Sequence, residues 1–180
     1  MKIESQIVKL GKIEVDLEEL RDFIIEAKKN GYAGNMEEQI AEDGSKMLTF
    51  QKGNFHYTDN YDGHYQFNGT EILRFKRPNG QRIWQMSYNG MIWEAYKSLL
   101  NGKEYEAFSN EVFTFLKKAL SHVERDQPFR GPKEFSEGDF KYKTWATPSD
   151  ISRFNGDETI NINERTCYNL RYAGGLIIPK

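Results

Sequence analysis

The densest chemistry in the chain is the stretch from His56 to His64, where His56, Asp59, Asp62 and His64 bring two imidazoles and two carboxylates close together. That donor set could hold a divalent metal or relay a proton. Asp62-Gly63 is also an ordinary turn signal, so a polar hairpin loop is the simpler expectation, and no metal is expected. Glu71 and Glu158 are a second candidate, since two carboxylates brought together make an acid/base pair. Exposed strand residues or local salt bridges are the plainer expectation for them. Arg130 sits in Phe129-Arg-Gly-Pro132, a proline-stiffened segment that would present a forked donor to a carboxylate or phosphate. Its bland alternative is a pairing with an acidic neighbour or packing on an aromatic ring. Cys167, the single cysteine, has no histidine beside it in sequence and reads as a buried, inert thiol.

Several function classes lack their signatures. Serine nucleophile elbows, Walker loops, dinucleotide fingerprints and His-Glu-x-x-His helices are missing from the sequence, so no catalytic residue and no cofactor is assigned. One cysteine cannot support an internal disulfide or a cysteine-based cluster. A net charge of -2 and a pI near 6.0 give no global field for nucleic acid, and direct nucleic-acid binding is not expected. No apolar run reaches membrane-spanning length and the N-terminus lacks a signal-peptide core, so a cytoplasmic location is the expectation.

The elements that must position these residues follow from periodicity. Asp16 with Glu19 reads as a capping box. Leu17, Leu20, Phe23, Ile24 and Ala27 then form a helical stripe that Asn30-Gly31 ends. From Lys46 the period changes to that of strands: Met47 to Phe50, Phe55 and Tyr57, Phe67, and Glu71 to Phe75. The turn Pro78-Asn79-Gly80 leads into Ile83 to Met86. Helices are expected again from Trp93 to Leu100 and from Glu104 to about His122. Gln127 to Pro132 is an irregular connector, and strands resume at Phe135.

The two stretches of strands carry one pattern. Phe50, Gly53, Phe55 and Tyr57 match Phe135, Gly138, Phe140 and Tyr142 in register. Phe67-Asn68-Gly69 with Glu71 matches Phe154-Asn155-Gly156 with Glu158. Trp84, Met86, Tyr88 and Gly90 match Tyr168, Leu170, Tyr172 and Gly174. The length changes between these blocks fall in expected turns. The expectation is an α+β fold: an internally duplicated helix-plus-antiparallel-meander unit with pseudo-twofold symmetry. It forms a single domain over 1–180, with repeat one about 13–92 and repeat two about 93–180. The second repeat carries Lys141 and Thr144 in the places of His56 and Asp59, which weakens the metal reading further.

The run Phe135 to Tyr142, the Phe129-Arg-Gly-Pro132 motif, Phe154-Asn-Gly156 and the ending Leu170-Arg-Tyr-Ala-Gly-Gly-Leu176 together resemble an uncharacterised prokaryotic domain of unknown function. Some members of that family carry it C-terminal to a helix-turn-helix. The resemblance spans about residues 17 to 177 and implies a sensor or effector-binding role by analogy. Residues 1 to 12 are too short for a helix-turn-helix, so direct DNA recognition is not expected to carry over from the resemblance.

The reading that follows is a non-enzymatic module binding a small molecule or nucleotide in an aromatic-lined groove between the repeats. Tyr57, Tyr142, Trp84, Tyr88 and Tyr172 would supply the stacking surfaces. Arg130, with Arg74 or Arg171, would hold the ligand's anionic part. Two alternatives stand beside it: a protein-interaction or inhibitor module, and a hydrolase using the His/Asp cluster. The shared aromatics look mainly architectural, so a pocket is expected where the repeats differ, at Arg130 and at the segment from His56 to His64. The sequence does not define an oligomeric state.

Overall fold

The computed structural model describes residues 6–34, 36–93 and 102–180. The helix expected from Trp93 to Leu100 falls, beyond Trp93 itself, outside the described residues. Two short strands, β1 (Ile7–Leu10) and β2 (Ile13–Asp16), form a hairpin turned at Gly11. Helix α1 (Leu17–Asn30) follows at once. The Asp16 carboxylate accepts from the backbone N–H groups of Glu18 and Glu19, and Gly31 closes the last turn by donating to the Ala27 carbonyl. These are the cap and the stop that the sequence signals.

Beyond α1 run β3 (Gln39–Ile40), β4 (Lys46–Lys52), β5 (Phe55–Gly63), β6 (Gln66–Phe75) and β7 (Arg82–Ile92). Helix α2 (Gly102–Ser121) then leads to β8 (Glu134–Glu137), β9 (Phe140–Ala146), β10 (Arg153–Ile162) and β11 (Arg165–Leu176). The strands β3 to β11 make one nine-stranded antiparallel sheet in the order β3-β4-β5-β6-β7-β11-β10-β9-β8. The fold is therefore α+β, with a large antiparallel sheet and two helices among the described residues. Gly53 and Gly138 hold φ of 56° and 59° in the two tight turns β4–β5 and β8–β9, a backbone region that favours glycine.

One face of the sheet carries the core. Strand parity points Phe67, Glu71 and Leu73 of β6, Trp84, Met86 and Tyr88 of β7, and Phe154, Glu158 and Ile160 of β10 toward it. The helices cover it with Leu20, Phe23, Ile24 and Ala27 of α1 and Val112, Phe115, Leu116 and Leu120 of α2, and the buried side chains form one continuous cluster. Phe23 packs on Phe50 and Phe55, and Phe115 packs on Phe135 and Phe140. The opposite face is polar, with Asn68, Ser87, Asn89 and Arg171 exposed. Among the described residues, no helix is long and apolar enough to cross a membrane.

Candidate functional site

Glu158 alternates along β10 with Phe154, Gly156 and Ile160, so it enters the covered face, where it is fully buried. Arg130, on the connector after α2, meets it with a fork: Nε donates to Oε2 at 2.8 Å and Nη2 to Oε1 at 3.0 Å. Tyr142 and Tyr168 each donate to the same carboxylate at 2.7 Å, and the Gly131 N–H donates to the Tyr142 oxygen at 2.9 Å. Burial alone would push the Glu158 carboxyl up. The Arg130 charge and the hydrogen bonds from Arg130, Tyr142 and Tyr168 outweigh it and hold the group below its ordinary value. Burial would likewise lower the Arg130 guanidinium, but Glu158 raises it well above the usual range. This carboxylate is saturated with donors.

Glu71 occupies the equivalent parity on β6 and is 2 % exposed. Its partner comes from α1, where Lys28 Nζ donates to Oε1 at 2.7 Å and Oε2 at 2.5 Å. Burial presses the Lys28 ammonium below its ordinary value, and nearby Arg130 adds to this, while Glu71 opposes it. Asp59 reaches the same region from β5. It accepts one hydrogen bond, from Tyr88 to Oδ1 at 2.9 Å, and forms no ion pair among the described residues. At 5 % exposure, desolvation and the Glu71 charge push its carboxyl up to about 7, against the pull of Tyr88, Lys28 and Arg130. The Arg130 guanidinium lies over the Tyr88 ring at 5.5 Å and so links the two carboxylate clusters.

A cavity of about 260 Å3 opens on this first cluster. Lys28, Asp59, Glu71 and Arg130 line it together with Tyr32, Tyr57, Tyr61, Tyr88, Phe67 and Phe113. At its edge Glu38 pairs with Lys46 at 3.0 Å and accepts from Tyr61. His64 also borders it, with Nε2 3.3 Å from the Ser109 hydroxyl. Glu158, Tyr142 and Tyr168 do not line this cavity; beside them Phe129 stacks on Phe154 at 3.9 Å and lies against Tyr172.

The expected binding residues therefore separate. Arg130, Tyr57 and Tyr88 border the cavity. Tyr142 belongs to the Glu158 cluster and is fully buried. Tyr172 lies beside Thr144, with their hydroxyls 3.1 Å apart, and Trp84 is a core residue whose indole N–H donates to the Ile151 carbonyl at 3.0 Å. Arg74 and Arg171 correct the expectation. Arg74 donates to Thr58 at 3.3 Å, and Arg171 pairs with Asp157 at 3.2 Å while 85 % exposed. Both belong to the outer face, so strand parity keeps them from joining Arg130.

The histidine and aspartate cluster is corrected in the same way. Residues 55–63 form a continuous strand rather than a hairpin loop, so His56 and Asp59 leave opposite faces of the sheet. His56 is buried beside Arg74, which adds to burial in lowering its pKa, and its Nδ1 has no hydrogen-bond partner. Asp62 accepts from the Gly63 N–H. Among the described residues no three metal-ligating side chains converge. Glu71 and Glu158 are buried ion-pair partners rather than exposed strand residues. The two strands between theirs, β7 and β11, alone separate their backbones by roughly 14 Å, and the register offsets them further, Glu71 aligning with Met86 and Glu158 with Gly90, too far for an acid/base pair. Cys167 is buried, its thiol pushed up to about 12 by desolvation.

Lys28, Tyr32 and Phe113 were not singled out by sequence. Lys28 did leave a signal: it lies four residues after Ile24 and so projects from the apolar stripe of α1. A lysine on a buried stripe calls for an anion. Glu71 and Glu158 left one too, sharing strand parity with Phe67 and Leu73 and with Phe154 and Ile160. Tyr32 and Phe113 left no comparable signal.

Comparison with curated proteins and with solved structures gives no match. Residues 59–177, well over half of the chain and including Asp59, Glu71, Arg130 and Glu158, match a family described as a domain of unknown function, DUF5680, and the chain belongs to that family.

Proposed function

We propose that the protein is a non-enzymatic binding module that takes a small molecule into the cavity between α1, α2 and strands β5 to β7. The observation that carries this is the unfilled space around Asp59. A buried carboxylate with one hydrogen bond faces a cavity ringed by Tyr32, Tyr57, Tyr61 and Tyr88, the combination of apolar walls and few polar groups that ligand sites use. The same module is built, in this reading, from two copies of one helix-plus-meander unit. Tyr88 stands opposite Tyr172, Trp84 opposite Leu176 and Ile92 opposite Tyr168. Exchanging Trp84 with Tyr168 and Ile92 with Leu176 maps these pairs onto each other, which supports a pseudo-twofold axis between Tyr88 and Tyr172. The cavity then lies where the copies differ, at Asp59 and Arg130. Neither alternative has an observation of this kind behind it. Among the described residues the outer face of the sheet is mostly polar, with Trp145 its one large apolar side chain more than a third exposed, and His56 lies across the sheet from Asp59.

A thermal-shift screen with aromatic amines, nucleosides, sugars and small acids tests the reading, because a ligand selective for the folded state raises Tm. Ala33 lines the cavity, and Ala33→Phe should fill it and abolish any shift. A screen with no rise in Tm, or a rise that survives Ala33→Phe, would sink it.

A further inference from the structure

The charges that line the cavity are equal in number, Lys28, Lys46 and Arg130 against Glu38, Asp59 and Glu71, but the way they pair leaves one carboxylate over. Lys28 is committed to both oxygens of Glu71 at 2.7 and 2.5 Å. Arg130 commits Nε and Nη2 to Glu158. At the edge, Lys46 and Glu38 pair with each other. Three buried carboxylates, Asp59, Glu71 and Glu158, thus face two buried cations, Lys28 and Arg130. The carboxylate left over is Asp59, which is 95 % buried by its 5 % exposure and borders the cavity with a single neutral donor, Tyr88. A buried charge without a counter-ion is costly, and an arriving cation would remove that cost. The walls suit one as well. Tyr32, Tyr57, Tyr61 and Tyr88 with Phe67 and Phe113 surround the space, and aromatic faces attract ammonium groups through their quadrupoles. An anionic ligand would meet Lys28 and Arg130 already engaged and Asp59 repelling it.

We propose that the ligand of this cavity carries an organic ammonium group, which pairs with Asp59 inside the ring of tyrosines. This rests on the cavity being a binding site, and it reverses the expectation that Arg130 grips an anion.

Isothermal titration calorimetry at pH 8 with the intact chain tests it, using a set of primary and quaternary ammonium ions that includes 2-phenylethylammonium. The alcohol 2-phenylethanol and the anion 3-phenylpropionate serve as comparisons of similar shape. The expected result is that at least one ammonium binds, the matching alcohol binds tenfold or more weakly, and the carboxylate does not bind. Asp59→Asn should weaken the ammonium tenfold or more and leave the alcohol unchanged, with circular dichroism confirming the fold. Equal or tighter binding of the carboxylate, or an ammonium affinity unchanged in Asp59→Asn, would overturn the proposal while leaving the cavity as a binding site. No binding by any ammonium also overturns it, and the wider screen with Ala33→Phe then decides separately whether the cavity binds anything. The wild-type comparison of ammonium with carboxylate stands even if the variant fails to fold.

Discussion

Glu71 and Glu158 both lie on the covered face of the sheet, each with a cation on it, yet their surroundings diverge. Glu158 has four hydrogen bonds from three side chains, and Phe129 fills the space beside it by stacking on Phe154. Glu71 is met by Lys28 across an open cavity and shares its region with a second carboxylate, Asp59. As Asp59 pairs across the strands with Glu71, Thr144 pairs with Glu158, and its hydroxyl donates to the Asp157 carbonyl at 3.0 Å and lies 3.1 Å from that of Tyr172. A neutral hydroxyl there needs no counter-ion. The comparison teaches that one strand geometry makes a carboxylate saturated with donors at Glu158, and at Asp59 a buried carboxylate left with a single hydrogen bond beside open space.

The largest test of that difference removes the two cations. Arg130→Met leaves the fully buried Glu158 without a counter-ion and should cost about 3–5 kcal/mol. Lys28→Met leaves Glu71, which itself lines the cavity, beside a space that water can enter, and should cost about 1–3 kcal/mol. Urea midpoints of the two variants measure the gap, and equal losses would break the distinction between the two carboxylates. Next come the glycines that let tyrosines pass close to the sheet. A Cβ on Gly156 would meet the Trp145 carbonyl at 2.3 Å as well as the Tyr172 ring at 2.4 Å, whereas on Gly69 its three nearest atoms all belong to the Tyr88 side chain, the first at 2.2 Å. Tyr88 has the cavity to move into and backbone does not yield, so Gly156→Ala should cost about 3 kcal/mol and Gly69→Ala about 1 kcal/mol. Thermal unfolding of both variants would reveal the asymmetry.

The smallest effect is in pH dependence. The Asp59 carboxyl is raised in the folded state, so its contribution is fully present below about pH 4 and is lost as pH rises through about 7. Glu158 runs the other way. Its pKa is depressed, and its contribution is present above the ordinary carboxylate range and lost as pH falls. Asp59→Asn should therefore stabilise the protein by about 1–2 kcal/mol at pH 8, with the gain vanishing near pH 4. Melting temperatures across that range check it, and a gain independent of pH would mean that Asp59 is not the titrating group.

Much of the scaffold is legible residue by residue. The Asp16 cap and the Gly31 stop are local hydrogen-bond chemistry. The hairpin about Asn79-Gly80 and the phenylalanines at Phe55 and Phe140 follow from strand period and turn residues, which involve only near neighbours in the chain. The face on which Glu71 and Glu158 lie follows from the same period of two. The segment from His56 to Asp62 misleads because a run of polar residues imitates a loop, while pairing on both sides with β4 and β6 keeps it extended; the Asp62-Gly63 signal itself marks the β5–β6 turn, where Gly63 holds φ of 93°.

The sequence by itself determined the caps, the alternation that turns two glutamates inward, and a recurring aromatic pattern, since each depends on residues a turn or a strand step apart. Only the tertiary structure decided which cation meets which carboxylate. Lys28 lies 43 residues from Glu71 and Arg130 lies 28 from Glu158, and no local rule fixes how α1 and the connector cross the sheet. The unfilled space beside Asp59 is of the same kind. It lies between side chains of α1, α2 and strands β5 to β7, a property of how the layers meet rather than of any segment.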